Sequence, residues 1–158
     1  HTTSLVFNDP PLHSRVRRIM TGAMNPKAVA LMEPGLEKLI DGLLNTLEDE
    51  SNLIEEFAMK IPVEVIGNLF NIPHSQRGPL RDWSLAILGA LEPSPTNIQL
   101  SKGNTAVLEF KDFLKDITDE RRINPGNPDT DVLTRMLEAE ESNLSETELL
   151  QNLSLIHI

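Results

Sequence analysis

Apolar residues along this chain return at helical spacing, and no convincing run alternates in the two-residue rhythm of a strand. Leu12, Val16, Ile19, Met20, Ala23 and Met24 form a first stripe, with Pro10 and Pro11 marking its start. Leu36, Leu39, Ile40, Leu43, Leu44 and Leu47 form a second, opened by Glu33-Pro34. A third apolar stretch spans residues 53–70. Pro62 interrupts it, so it is either kinked or begins as a loop, and Asn71-Ile72-Pro73 stops it.

A fourth helix is predicted over residues 76–91, carrying the only tryptophan, Trp83, before Glu92-Pro93-Ser94-Pro95 forces a loop. The long fifth helix turns Val107, Phe110, Leu114 and Ile117 inward and ends at Asn124-Pro125-Gly126-Asn127-Pro128. A short sixth covers residues 131–140. The last is announced by Ser145-Glu146-Thr147-Glu148, a capping box in which serine and glutamate satisfy each other's free amides. Loops are short and no internal repeat appears, so the pattern predicts one all-α piece of six to seven helices.

With 158 residues, the chain is long enough to bury a sizeable core, and 39% hydrophobic residues with a mean hydropathy of −0.21 suit a globular protein. No apolar run is long enough for a transmembrane helix, and no targeting leader is visible. Cysteine is absent, which excludes disulfides, thiolate metal sites and a cysteine nucleophile on these residues and fits a cytoplasmic setting. The net charge of −10 disfavours nucleic acid and anionic membrane as partners. Against that acidity stands one basic patch, Arg15, Arg17 and Arg18, with Lys27 a little later. The Glu48-Asp49-Glu50 and Glu55-Glu56 clusters read as solvated faces; the adjacent glutamates diverge on a helix and do not make an acid–base pair. His74 reads as a turn histidine with no partner at metal-ligand spacing, and Trp83 as a core residue.

On the first helix, His13 and Arg17 lie one turn apart on the same side, at one border of the apolar stripe beside Met20 and Met24. Arg15 lies at the other border and Arg18 points away. The His13–Arg17 edge suits a flat, apolar ligand with an acidic fringe: arginine's planar fork holds a carboxylate, and a neighbouring imidazolium adds a second charge-assisted bond. A bare HxxxR spacing is common among solvated helix residues and is weak by itself.

The surrounding residues 9–18, DPPLHSRVRR, resemble the DPPEHTRLRR segment of bacterial cytochrome P450 enzymes, with Leu12 in place of the usual glutamate. The resemblance continues in order. Asn25-Pro26-Lys27-Ala28-Val29 is similar to the family's FTPRAV-type continuation, and residues 62–73, PVEVIGNLFNIP, to its PVxVIxxLxGVP stretch, with Asn71 where glycine is common. Trp83 falls where helix F of the family often has tryptophan. Residues 131–137, DVLTRML, followed by 144–149, LSETEL, are similar to the family's passage into helix I.

The resemblance implies an internal segment of a soluble, haem-dependent monooxygenase, from the end of the B–C loop through helix C to the start of helix I. It gives His13 and Arg17 the role of binding haem propionates. It makes residues 2–7, Val6 above all, and Leu88 and Leu91 at the end of helix F candidates for the substrate pocket. It offers Arg15 and Arg18 as a surface for a ferredoxin or flavodoxin-type redox partner. The parent would oxidise a small apolar substrate with dioxygen. The thiolate ligand of the iron, the oxygen-handling residues of helix I and the ExxR pair of helix K have no counterpart here, so no catalytic residue and no metal ligand is expected in this chain, and the fragment alone should be inactive. The alternative from another class is a free-standing all-α interaction module without cofactor, since six or seven amphipathic helices could close a core unaided.

The chain opens on His1, so the true start is expected to be missing. Residues 153–158, LSLIHI, match what a common transposase adapter encodes in one reading frame. They read as a sequencing scar following a native segment of residues 1–152, or else as an ordinary amphipathic helix tail.

Overall fold

Hydrogen bonding within the chain winds every regular element of the described residues into helix, as the 3.6-residue pattern requires. The computed structural model describes residues 4–24 and 26–157; the expectations touching Thr2, Thr3, Asn25 and Ile158 lie outside them. In chain order come α1 (Leu12–Ala23), α2 (Pro26–Ala30), α3 (Glu33–Leu44), α4 (Lys60–Leu69), α5 (Leu80–Ala90), α6 (Asn97–Ile123), α7 (Val132–Asn143) and α8 (Glu146–His157). Single 3-10 turns at Leu5–Phe7 and His74–Gln76 and a π turn at Ile54–Ala58 join them. The all-α class is as expected. The five-residue α2 is additional, being too short to write a periodic stripe.

Pro62 is accommodated in neither of the two expected ways. Residues 54–58 form the π turn, closed by the Met59 amide donating to the Ile54 carbonyl at 2.9 Å. Helix α4 then starts at Lys60, so Pro62 falls in its first turn, where a missing amide breaks no helical bond. The π turn also separates the paired glutamates. Glu55 meets Arg81 at 3.0 Å and Glu56 accepts the Asn52 amide at 3.0 Å, both on the solvated face expected of them.

Helix α4 ends in a left-handed residue. Asn71 has φ 49°, and beyond it the Ile72 amide donates back to the Gly67 carbonyl at 2.7 Å. Asparagine tolerates this conformation at the position where glycine is common in the similar family stretch. The predicted fourth helix begins later than its pattern suggested, because Gly78-Pro79 breaks it into the 3-10 turn and α5. Between them Arg77 is buried at 6% exposure. Its Nε donates to the Ile72 carbonyl at 2.9 Å, and its two terminal nitrogens reach Glu64 at 2.5 Å and the Asn68 side chain at 2.9 Å. The guanidinium lies over Gly67, where a Cβ would collide with it. His74 approaches the same Glu64 carboxylate, Nδ1 at 3.2 Å, from the exposed side.

The core gathers Leu80 and Ile87 of α5, Phe110 and Leu114 of α6, Val132, Leu133 and Met136 of α7, and Leu149 and Leu153 of α8. Of the expected inward residues of α6, Phe110, Leu114 and Ile117 are buried and Val107 is half-buried. Helices α5 and α6 make the closest pair, Gly103 letting the backbone approach Ala86 and Ala90. Trp83 packs across them, 5.5 Å from the Phe110 ring and 5.3 Å from the Phe113 ring, and donates to Glu109 at 2.9 Å. Helix α3 is peripheral, its leucine stripe only half covered.

Two substitutions separate these effects in urea unfolding. Asn71→Ala should cost about 1 kcal/mol, while Asn71→Gly should be close to neutral, because only the first forces a Cβ without a local hydrogen-bonding side chain into the left-handed region. Arg77→Leu should cost about 3 kcal/mol by leaving Glu64 without its buried partner. Equal midpoints for the alanine and glycine variants at position 71 would contradict the cap assignment.

Candidate functional site

Helix α1 carries His13 and Arg17, the pair expected to meet a ligand. Val16 and Ala23 are buried, and Ile19, Met20 and Met24 pack against the core from one side. His13 is half-buried and Arg17 exposed, one turn apart beside Met20 and Met24. Among the described residues neither side chain has a hydrogen-bond or ion-pair partner. Two donors therefore stand free on one edge of an apolar helix face.

The rest of α1 is held in place by α7 and α8. Arg15, at the opposite border, forms an ion pair with Glu148 of α8. At the other end, Arg135 of α7 donates from Nε to the Ala23 carbonyl at 2.8 Å and also reaches the Pro128 carbonyl. A cation at the carbonyl end of a helix meets the negative pole of its dipole. Asp131 fixes α7 in turn: it accepts the Leu133 amide at 3.0 Å as an N-cap and pairs with Arg121 of α6.

Glu148 does double duty. The predicted capping box is present, with the Ser145 amide donating to its carboxylate at 2.8 Å and the Glu148 amide donating to the Ser145 hydroxyl at 3.3 Å. The other carboxylate oxygen takes Arg15. Burial alone would raise its pKa, but the Ser145 hydrogen bonds and the Arg15 charge outweigh burial and hold it below the usual glutamate value. One turn on, Asn152 is fully buried; it accepts the Leu5 amide at 2.9 Å and donates to the Glu148 carbonyl at 2.7 Å.

The remaining candidates fall into separate places. Val6 is 62% exposed on the 3-10 turn that packs against α1. Leu88 and Leu91, 45% and 68% exposed, stand at the end of α5, which packs on α6 rather than α1. An open trough of about 1050 Å³ runs along α5 and α6 past Asp82, Trp83, Leu85 and Glu109, but Leu88 and Leu91 do not line it. Arg18 is exposed beside a shallow depression shared with Leu12, Arg15 and Ile19. The structure thus brings His13, Arg17 and Val6 onto one helix and its adjoining turn, and commits Arg15 to an internal ion pair.

Arg135, Asn152 and the second role of Glu148 were not expected. Only Asn152 left a trace in the sequence: an amide among Leu149, Leu150 and Leu153 must be paired if that face is core. No group of three or more metal-binding side chains occurs among the described residues, and none of their helices is long and apolar enough to cross a membrane.

No protein-family model matches the chain. Individual relatives do. The chain is 31% identical over 153 residues to cytochrome P450 CYP107DY1 of Priestia megaterium, covering 94% of this chain and 36% of that protein. It is 31% identical over 156 residues to the polyketide biosynthesis cytochrome P450 PksS of Bacillus subtilis, covering 96% and 36%. Among solved structures, Mycobacterium smegmatis CYP164A2 superposes with a TM-score of 0.88 at 29% identity, over 98% of this chain and 41% of that one. Ligand-free cytochrome P450 TbtJ1 gives 0.86 at 31% identity, over 98% and 41%. The chain therefore spans about 36% of the length of the curated relatives it matches.

The lowered pKa of Glu148 has a consequence for stability. Folded Glu148 binds protons less readily than in the unfolded chain, so its contribution is complete above the ordinary glutamate value. That contribution drains away as pH falls through that value towards the lowered one. Glu148→Gln should cost about 1 kcal/mol at neutral pH and flatten the acid limb of the stability curve. Stability profiles of the two proteins that run parallel from neutral pH into the acid limb would remove this role.

Proposed function

We propose that the chain, which is similar in sequence and fold to an internal portion of bacterial cytochromes P450, belongs to a longer haem-thiolate monooxygenase and forms one wall of its haem and substrate site. The observation that carries the proposal is the unpartnered pair on α1, half-buried His13 and exposed Arg17, standing beside Met20 and Met24. A haem presents an apolar plane fringed by carboxylates, and this edge offers an apolar border with two donors, an imidazole and a guanidinium. The residues present fit that group. His13 and Arg17 would each donate to a propionate, neutralising it where the helix side chains exclude part of the water.

When bound, haem with a thiolate ligand supplies oxygen activation. The chain's own contribution is to hold and orient. The Arg15–Glu148 and Arg135–Ala23 links keep α1 and its donor edge at a fixed height against α7 and α8. Val6, with Leu88 and Leu91, offers apolar surface for a small apolar substrate. Arg18, and the exposed part of Arg15, would meet an acidic ferredoxin or flavodoxin-type donor and chiefly speed its encounter. In this reading the iron's thiolate comes from outside the chain, which has no cysteine.

The test uses the full-length parent. Replacing both His13 and Arg17 by alanine should accelerate haem loss about a hundredfold, since two charge-assisted bonds disappear together. Arg18→Ala should leave haem content unchanged. Undiminished haem occupancy in the double variant would remove the assignment. The present chain, reconstituted with haem, should give no thiolate-type spectrum. With Val6, Phe7, Leu53, Ile54 and Leu91 each at least 60% exposed, it should also self-associate as concentration rises, which light scattering would register.

A further inference from the structure

Helix α3 has a leucine stripe but no buried residue. Two leucines of that stripe, half-buried Leu39 and Leu43, line a groove of about 590 Å³ between α3, α4 and the start of α5. Met59 and Val63, also half-buried, add apolar lining from the beginning of α4. Arg81 reaches from α5 to Glu55 at 3.0 Å and to the Met59 sulfur at 2.8 Å, which ties the α5 side of the groove to the π turn. Three helices thus meet around one apolar hollow of the size that takes small ligands. None of its lining residues belongs to α1 or to the turn at Leu5–Phe7, so it is separate from the His13–Arg17 edge.

The charges lining this groove do not balance. Glu55 is matched by Arg81, and Glu64 by Arg77 with His74 at 3.2 Å. Lys60 also lines the groove, is exposed, and has no partner among the described residues. Both carboxylates are therefore taken and one cation is left over beside the apolar lining, in a chain whose net charge is −10. A neutral ligand would leave that cation unused, and a cationic one would be repelled by it. A carboxylate on an apolar chain would meet Lys60 through a charge-assisted bond and cover the leucines with its tail.

We propose that this groove is a second ligand site, for a medium-chain carboxylate whose head meets Lys60 and whose chain lies on Leu39, Leu43, Met59 and Val63. Such a ligand covers the open side of the α3 stripe and so fastens α3 to α4 and α5. The proposal does not rest on the monooxygenase reading, because it uses no residue of the haem edge.

The probe is decanoate, kept below its micelle-forming concentration, with decanol as its neutral counterpart. In equilibrium dialysis the present chain should bind one decanoate, and decanol about tenfold more weakly. Lys60→Glu should weaken decanoate about tenfold and leave decanol unchanged. Lys60 is exposed at the first position of α4, where a glutamate suits the helix dipole, so folding is not at risk. Leu43→Ala should weaken both probes about fivefold. Amide hydrogen exchange should slow in α3 when decanoate is added, with Leu114 of α6 unchanged.

No decanoate binding, or equal binding by wild type and Lys60→Glu, would overturn the site. So would exchange in α3 that slows with chain concentration and not with decanoate, which would give the groove to a second copy. In the full-length parent, decanoate should still bind with the haem iron capped by phenylimidazole, and Lys60→Glu should still weaken it. Loss of that binding would give the groove to another part of the parent and overturn the proposal. A parent that holds no haem would overturn the monooxygenase reading and leave the dialysis result standing.

Discussion

A carboxylate taken out of water has to be neutralised where it stands, and Glu148 is where the arrangement around the site turns on that requirement. Its two oxygens divide the work: one closes the N-terminal cap of α8 on Ser145, and the other holds Arg15 of α1. Without the arginine, a buried charge would face only a local cap. Without the cap, α8 would begin with unsatisfied amides beside the core. The pair therefore does more than a fully exposed salt bridge does, because Glu148, though not the partly exposed Arg15, is held out of water.

From this joint follows the geometry of α1. Arg15 secures one border of the helix, Arg135 secures its carbonyl end, and the apolar line through Val16 and Ala23 faces inward. What remains outward on the opposite border is His13 and Arg17. Their availability results from that division: one arginine of the cluster is engaged in holding the helix, and Arg17 has no partner among the described residues. The two borders of the helix that the sequence separates differ in the structure: Arg15 is paired with Glu148, while His13 and Arg17 have no partner among the described residues.

Local order was largely legible. Periodicity placed α1 and α3 to α8, and the capping box at Ser145 and Glu148 formed as written, because such features depend on residues a turn apart. The expected roles of Trp83 and of the inward face of α6 also followed from spacing, since both helices bury the side their stripe marks. The details that escaped were local competitions. Pro62 was known to conflict with a continuous helix, but spacing did not reveal the π turn at residues 54–58 that shifts it into a first turn. The later start of α5 follows from Gly78-Pro79, just after Arg77 is drawn beneath α4 over Gly67.

The long-range pairings could not be read from spacing. Arg15 with Glu148, Arg135 with the Ala23 carbonyl, and Asn152 with the Leu5 amide join residues more than a hundred positions apart. By itself the sequence determined the helical class, the caps and the edge on which His13 and Arg17 sit, because each is a property of one helix and its periodicity. Only the tertiary structure decided that Arg15 is spent internally while Arg17 stays free, and that Val6 stands on a turn pinned by α8. Those outcomes depend on which helices meet, and burial of a charge or an amide selects its partner only once they have met.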